Sequence, residues 1–395
     1  MSAVTPPPRA SLHRRLRMHT GYRWRNSGHP VLTWLRTAVD TRDGAVFPAV
    51  SSSLGGLSVS YSGLAEGLAY TLEFTELRRE SRDGNAARRT ESEISGKALR
   101  DPDRLPDSDI AIVGTSAAKA RRLPTDASLI VPMRVHFVID TDDGDSDAVR
   151  RKISKREREQ FRRAMRRHEW TWAVEHDPAW FDVFYKRLYR PTMRERHGAR
   201  ERTETKDVSY ECLFREGRMF SLSQNGKRVG GALCHWDRAS RTLTLRLLGV
   251  VDGAKEHYDS GAFKAIYHFL IGWSADNGVR ALDFQGTESF LSKGTYQWKR
   301  RFGTRVVLPP NHFGNKRLWF QVRSDTPEVR DFLVANPLLA EGADGALEAV
   351  YFHDADRAAR IDYSAKSPGV ERARHIDLDA FLATVPKGLA RRAHS

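Results

Sequence analysis

The sequence predicts an α/β protein of the α+β kind: two lobes, each a mixed and mostly antiparallel sheet flanked by helices, followed by a small C-terminal extension. Three observations carry this reading. The chain has 395 residues, enough for two compact domains. Hydrophobic residues make up 40% and 29 glycines add to them, a balance that excludes a fibrous or wholly disordered chain. Over residues 208–323 the apolar patterning reads strand, strand, long strand, helix, strand, helix, two strands.

Taken in order, residues 1–20 are rich in Pro and Arg and are read as disordered. An N-terminal lobe is assigned to 21–140. Its first part, 31–75, sets VLTWLRTAV and AYTLEF on either side of Gly/Ser-rich turns, a mixed helix and strand region. Residues 78–108 are charged and nearly without large apolar side chains, which predicts a mobile surface insertion. Strands are expected at 109–113 (DIAIV) and 135–139 (VHFVI).

The second lobe is assigned to 141–323. It opens with a cationic helix over 150–167 (RRKISKREREQFRRAMRR) and a second helix over 180–192. Strands are expected at 210–214 (YECLF), 218–222 (RMFSL), 229–235 (VGGALCH) and 242–250 (TLTLRLLGV), with Asn225-Gly226 as a hairpin turn. A helix over 261–275 places Phe263, Ile266, Phe269, Leu270 and Trp273 at helical spacing, capped by Asp259 or Ser260 and stopped by Asn277-Gly278. The strand 279–284 (VRALDF), a short helix ending near Gly303, and strands at 305–308 and 318–323 complete the lobe. Residues 324–395 form the extension, with one helix, one strand and a basic end.

Lys and Arg total 65 against 50 Asp and Glu, a net charge of +15. Such an excess either spreads over the surface or gathers on one face that binds phosphates. The run 150–167 favours partial gathering. Cys212 and Cys234 make no disulfide framework and lack zinc-site spacing, pointing to a reducing cytoplasm. No signal-peptide core or apolar run of membrane-spanning length is read, so a soluble protein without a membrane span is expected. The acidic run at 140–147 lacks the terminal Glu of a calcium loop, and no metal site is assigned.

The segment LDFQGTESFLSKGTYQWKRRFG (residues 282–303) carries Asp283, Phe284, Trp298, Lys299, Phe302 and Gly303. It resembles the signature of the FemABX-like branch of the GNAT acyltransferase superfamily. In that signature an Asp-aromatic-Gly strand end precedes an aromatic-Lys-x-x-Phe-Gly segment. Gln285 separates Phe284 from Gly286, and Trp298 stands where Phe is usual. The strand and helix order over 208–323 is similar to that of the GNAT core, and the helices at 150–167 and 184–198 resemble those of the family's second lobe.

The resemblance implies two GNAT-like lobes and N-acyl or aminoacyl transfer to an amine of a small peptide, cell-wall precursor or secondary metabolite. Such transfer needs attack by an amine, an oxyanion stabiliser and a proton for the leaving group. In a helix after Ser292, Tyr296 and Lys299 share one face with it at i+4 and i+7. The resemblance makes Tyr296 the acid and Lys299 the group that holds charge on the oxyanion or on a phosphate. Against this, Tyr296 fits an ordinary half-buried aromatic with its hydroxyl in water as well; for Lys299 the duller reading is a solvated helix cation, which the resemblance outweighs. Asp283 either orients the amine or caps the following turn.

The N-terminus of helix 261–275, with Gly261 and the cations Lys255, His257 and Lys264 around it, is the expected donor-phosphate site. The loop before it departs from the GNAT pyrophosphate pattern, keeping only Gly261, and an ordinary core helix fits it as well. That departure leaves acyl-CoA, a carrier protein or aminoacyl-tRNA open as donor, none of them tightly bound, with the 150–167 cations favouring tRNA. His235 is not placed in the site. A rival reading makes the chain an inactive relative binding RNA or DNA through the basic helix, Arg-rich 78–108 and the C-terminal KGLARRAH. Oligomeric state is not legible.

Overall fold

The computed structural model describes residues 11–141, 145–198 and 203–385. Its strands, in chain order, are Val46–Leu54 (β1), Leu57–Gly63 (β2), Arg88–Ser95 (β3), Ile110–Ser116 (β4), Ser128–Pro132 (β5), Val135–Asp140 (β6), Trp170–Glu175 (β7), Arg218–Gln224 (β8), Lys227–Asp237 (β9), Thr242–Val250 (β10), Ala281–Thr287 (β11), Arg305–Val307 (β12), Lys316–Val322 (β13), Leu338–Glu341 (β14), Leu347–His353 (β15) and Arg372–Asp377 (β16). The described residues form two compact units, one of 11–25, 137–285 and 301–304 apart from 142–144 and 199–202, the other of 26–136, 286–300 and 305–385. Each is built on a mixed sheet with helices, the fold class expected.

In the first unit the sheet runs β6-β11-β10-β9-β8-β7. β7 to β10 are antiparallel, as the Asn225-Gly226 turn requires; Asn225 and Gly226 take φ of 48° and 73°. β10 and β11 are parallel and joined by helix Ala262–Asp276. Phe181, Phe184, Leu188 and Tyr189 from the 178–197 helical run pack with Leu233 and Leu247 on one face. Gly249 allows this, because a Cβ there would meet the Leu188 carbonyl carbon at 2.5 Å.

The second unit carries a six-stranded sheet, β3-β1-β2-β4-β13-β5, and a three-stranded one, β14-β15-β16. The strand read at 318–323 as the last of the 141–323 lobe is β13, lodged between β4 and β5. Every residue of β13 is buried, so its pattern has no polar alternation to tell which sheet it completes. Residues 327–382 share a core with β1 to β5 through Phe332, Leu333, Val350, Phe352 and Leu378.

Other elements differ from expectation for local reasons. Residues 12–26 are helical and tied down by Arg15 to Glu211 at 3.1 Å; residues 1–10 lie outside the described part. The segment 78–108, expected as a mobile insertion, holds the end of helix Glu73–Asp83, the edge strand β3 and two short 3₁₀ turns. Its polarity is that of an edge, where pairing uses the backbone and only Ile94 is buried. YECLF is a π-helical turn, Ser209–Phe214, since so short an apolar run suits either state. The cationic helix is two, Ser146–Lys152 and Lys155–His168, broken at Ile153 and restarted by the Ser154 cap. Residues 142–144 of the acidic run, and the KGLARRAH end, lie outside the described residues.

Candidate active site

In the first unit β10 and β11 pair through only three positions, Thr242 with Ala281, Leu243 with Leu282 and Thr244 with Asp283. Beyond them the ladder stops, and the Gln285 side-chain amide donates to Leu245 O at 2.5 Å in place of a backbone partner. The register of β10 against β9 slips between Leu245 and Leu247, leaving Arg246 as the extra residue of a bulge. Ligands of α/β sheets bind where adjacent parallel strands part at their carboxyl ends. This is such a place.

Register puts His235, Thr244 and Asp283 side by side on one face of three neighbouring strands. The Tyr22 ring lies 5.7 Å from the His235 ring, and the Arg246 guanidinium is 5.5 Å from Tyr22. Burial, and after it the positive charge of Arg246, lowers the His235 pKa below the ordinary histidine value. A neutral imidazole thus faces a polar group of Arg246, Thr244 and Tyr22. Asp283, 3% exposed, accepts the Gln285 backbone N–H at 2.6 Å. That bond holds Gln285 at φ 57°, the conformation by which the extra residue fits between Phe284 and Gly286.

The expected phosphate site is partly occupied by the protein's own groups. Helix Ala262–Asp276 starts from Gly261 at φ 87° with no side-chain cap, so neither Asp259 nor Ser260 caps it. A residue in this left-handed conformation turns the chain from the short helix Lys255–Asp259 into the long one. Lys264 is bonded to the buried Glu157 carboxylate at 3.1 Å and to Gln160 at 3.0 Å. His257 stands 3.6 Å from Glu256, and exposed Lys255 has no ion pair among the described residues. Ala262 and Phe263 are buried, with Tyr258 stacked on Phe263 at 4.5 Å.

Tyr296 and Lys299 belong to the second unit, Asp283, Lys255, His257, Gly261 and Lys264 to the first. Ser292 precedes helix Gly294–Lys299 and donates its hydroxyl to Asn336 at 3.0 Å, so it is not on the helical face expected of it. Lys299 is 6% exposed; its ammonium is 3.5 Å from Gly286 O, which also accepts Arg134 Nη2 at 3.2 Å. Tyr296 is fully buried. Burial first, then Tyr351, pushes its hydroxyl pKa up against the opposing charge of Arg300, so the group stays protonated.

The end of the motif is a packing device within the first unit. Phe302 is buried 5.3 Å from the Tyr267 ring. Gly303 has φ 73°, and a Cβ there would stand 2.2 Å from Lys152 O. Gly303→Ala is expected to destabilise the protein by about 2–3 kcal/mol, read as a shift in denaturation midpoint at unchanged slope.

Sequence reasoning missed Arg246 and Tyr22 and left His235 out of the site. Alternation places His235 on one face of its strand, but cross-strand register and a bulge leave no mark in a single sequence.

No family model matches the chain, and no curated protein matches it. Among solved structures it is similar to L-PGS from Bacillus licheniformis, at 13% identity over 84% of this chain and 98% of that one, with a TM-score of 0.37. It is similar to a FemX protein at 11% identity over 78% and 95%, with a TM-score of 0.38. It is also similar to the C-terminal domain (DUF2156) of a putative lysylphosphatidylglycerol synthetase from Agrobacterium fabrum, at 12% identity over 78% and 92%, with a TM-score of 0.39. Among the described residues no helix is long and apolar enough to cross a membrane.

Proposed function

We infer that the protein is an N-acyltransferase moving an acyl or aminoacyl group from a carrier to an amine of a small peptide, cell-wall precursor or secondary metabolite. The observation that supports this most is the parting of β10 from β11 beside a neutral histidine. Transfer from an activated ester or thioester needs little beyond positioning, a proton acceptor for the amine and donors for the oxyanion. In this proposal His235 takes the amine proton and Asp283 shapes the strand end where the amine is oriented. The imidazolium so formed returns that proton to the departing oxygen or sulfur of the carrier, as the acyl carbon's bond to it breaks and the new bond to nitrogen forms. The test is mass spectrometry of small-molecule products after incubation with charged tRNA, and separately with acyl-CoA, and a pool of amines. A product that adds one acyl group to one amine is expected; none with either donor overturns the reading.

The donor proposed first is aminoacyl-tRNA, for a reason of charge. On helix Lys155–His168, Arg156, Arg162, Arg163, Arg166 and Arg167 are exposed and make no ion pair among the described residues. Glu157 and Phe161 lie on the opposite side of this helix, Glu157 buried, so the arginines form a stripe. Replacing Arg162, Arg163, Arg166 and Arg167 with Ala is expected to reduce the log–log salt slope of RNA binding by about three to four. An unchanged slope, measured by filter binding, removes the stripe from the interface. The same stripe favours the second reading, an RNA- or DNA-binding protein without transfer activity. Steep salt dependence without any acyl product selects it.

A further inference from the structure

Helix Pro30–Asp40 of the second unit is amphipathic in the reverse sense. Its inward side is polar. Thr33 and Thr37 are buried, their hydroxyls donating to Pro30 O at 2.8 Å and Thr33 O at 2.7 Å. Asp40 accepts Arg36 Nε at 3.2 Å and the buried Lys316 ammonium at 2.7 Å. Its outward side is Val31, Trp34, Leu35, Ala38 and Val39, with Trp34 67% and Val31 62% exposed. At helical spacing these five share one face. A contiguous apolar patch of this kind on a protein surface is often a contact site.

We propose that this face docks on an anionic lipid surface, with Trp34 at the centre of the contact. The size of the face argues for lipid over a second copy: five side chains of one short helix give a few hundred Å², whereas a stable dimer buries about 800 Å² per partner. The inner hydrogen bonds fix the helix so that its apolar side alone can enter the headgroup region, the geometry of an interfacial helix. Charge complements it. Near the helix C-terminus the cations Arg42, Lys97, Arg100 and Lys119 outnumber the acids Asp43 and Asp101: Asp43 bonds Lys119 at 2.7 Å and pairs with Arg100, Asp101 pairs with Arg104, and Asp40 is held by Arg36 and the buried Lys316. Cations beside an inserted face add attraction to anionic headgroups. Glu93 and Glu91 lie further along β3, past Ser95.

The test is co-sedimentation of the full chain with sucrose-loaded vesicles of phosphatidylcholine, with and without phosphatidylglycerol. Binding to the phosphatidylglycerol vesicles, weakened by salt, is expected. Trp34→Ser/Leu35→Ser should lower partitioning about tenfold while keeping the wild-type melting temperature, since both side chains are exposed. Val31→Ser/Val39→Ser is an independent second pair with the same expected loss. No vesicle binding by the wild type, or wild-type binding kept by both variant pairs, overturns the proposal. So does a wild-type dimer in sedimentation velocity that the Trp34/Leu35 pair converts to monomer.

Discussion

Glu341→Leu is expected to destabilise the protein by about 3–5 kcal/mol, because it strands a buried guanidinium. Arg317, on β13, is 3% exposed and its Nε meets Glu341 Oε1 at 2.6 Å. Burial lowers the Arg317 pKa, and the Glu341 carboxylate opposes that shift. Two carbonyls, Gly314 O at 2.7 Å and Lys316 O at 2.9 Å, satisfy one more nitrogen and leave the net charge uncompensated. Arg121, bonded to the same carboxylate at 2.9 Å, is half exposed and rehydrates when Glu341 is lost. The cost therefore falls on Arg317. Arg317→Met with Glu341→Leu should recover most of the loss, since a packed apolar pair replaces a buried ion pair at little cost. Denaturant titration followed by intrinsic fluorescence reads both variants. A single variant within about 1 kcal/mol of wild type would mean that water reaches Arg317.

The same strand explains what the sequence conceals. The periodic elements were legible: 242–250 reads as a strand and 261–275 as a helix because alternation and 3.6-residue spacing both survive in isolation. β13 was legible as a strand and illegible as a partner, because KRLWFQV is buried on both faces and its two cations are neutralised by Asp40, Glu66 and Glu341, all distant in sequence. β3 hid for the opposite reason, being an edge strand whose side chains carry almost no apolar signal. At the strand end of the first unit, the motif spelled out Asp283, and the departure at Gln285 was visible as an extra residue. What it does, taking a left-handed turn held by the Asp283 carboxylate, depends on geometry. Arg246 became part of the site through a register slip, a relation between two strands that neither sequence contains alone.

That slip sets up the largest functional effect. His235→Gln is expected to lower turnover by about 10²–10⁴-fold, the loss of a positioned general base, with little change in melting temperature. The amine must shed a proton to attack, and only neutral imidazole accepts it. Burial and the Arg246 charge both lower the His235 pKa, so activity should be full at neutral pH and fall as pH drops through that lowered value, below about 6.5. The variant should lack this acid limb. Arg246→Met provides the control on cause: without the neighbouring positive charge the imidazole holds its proton to higher pH, and the limb should move up toward the ordinary histidine range. A merely structural histidine would alter stability and leave the limb where it was. A His235→Gln enzyme with wild-type turnover and an unshifted acid limb would assign the proton to another group, and Arg246 would then stand at the bulge to bind the carboxylate or phosphate of a substrate.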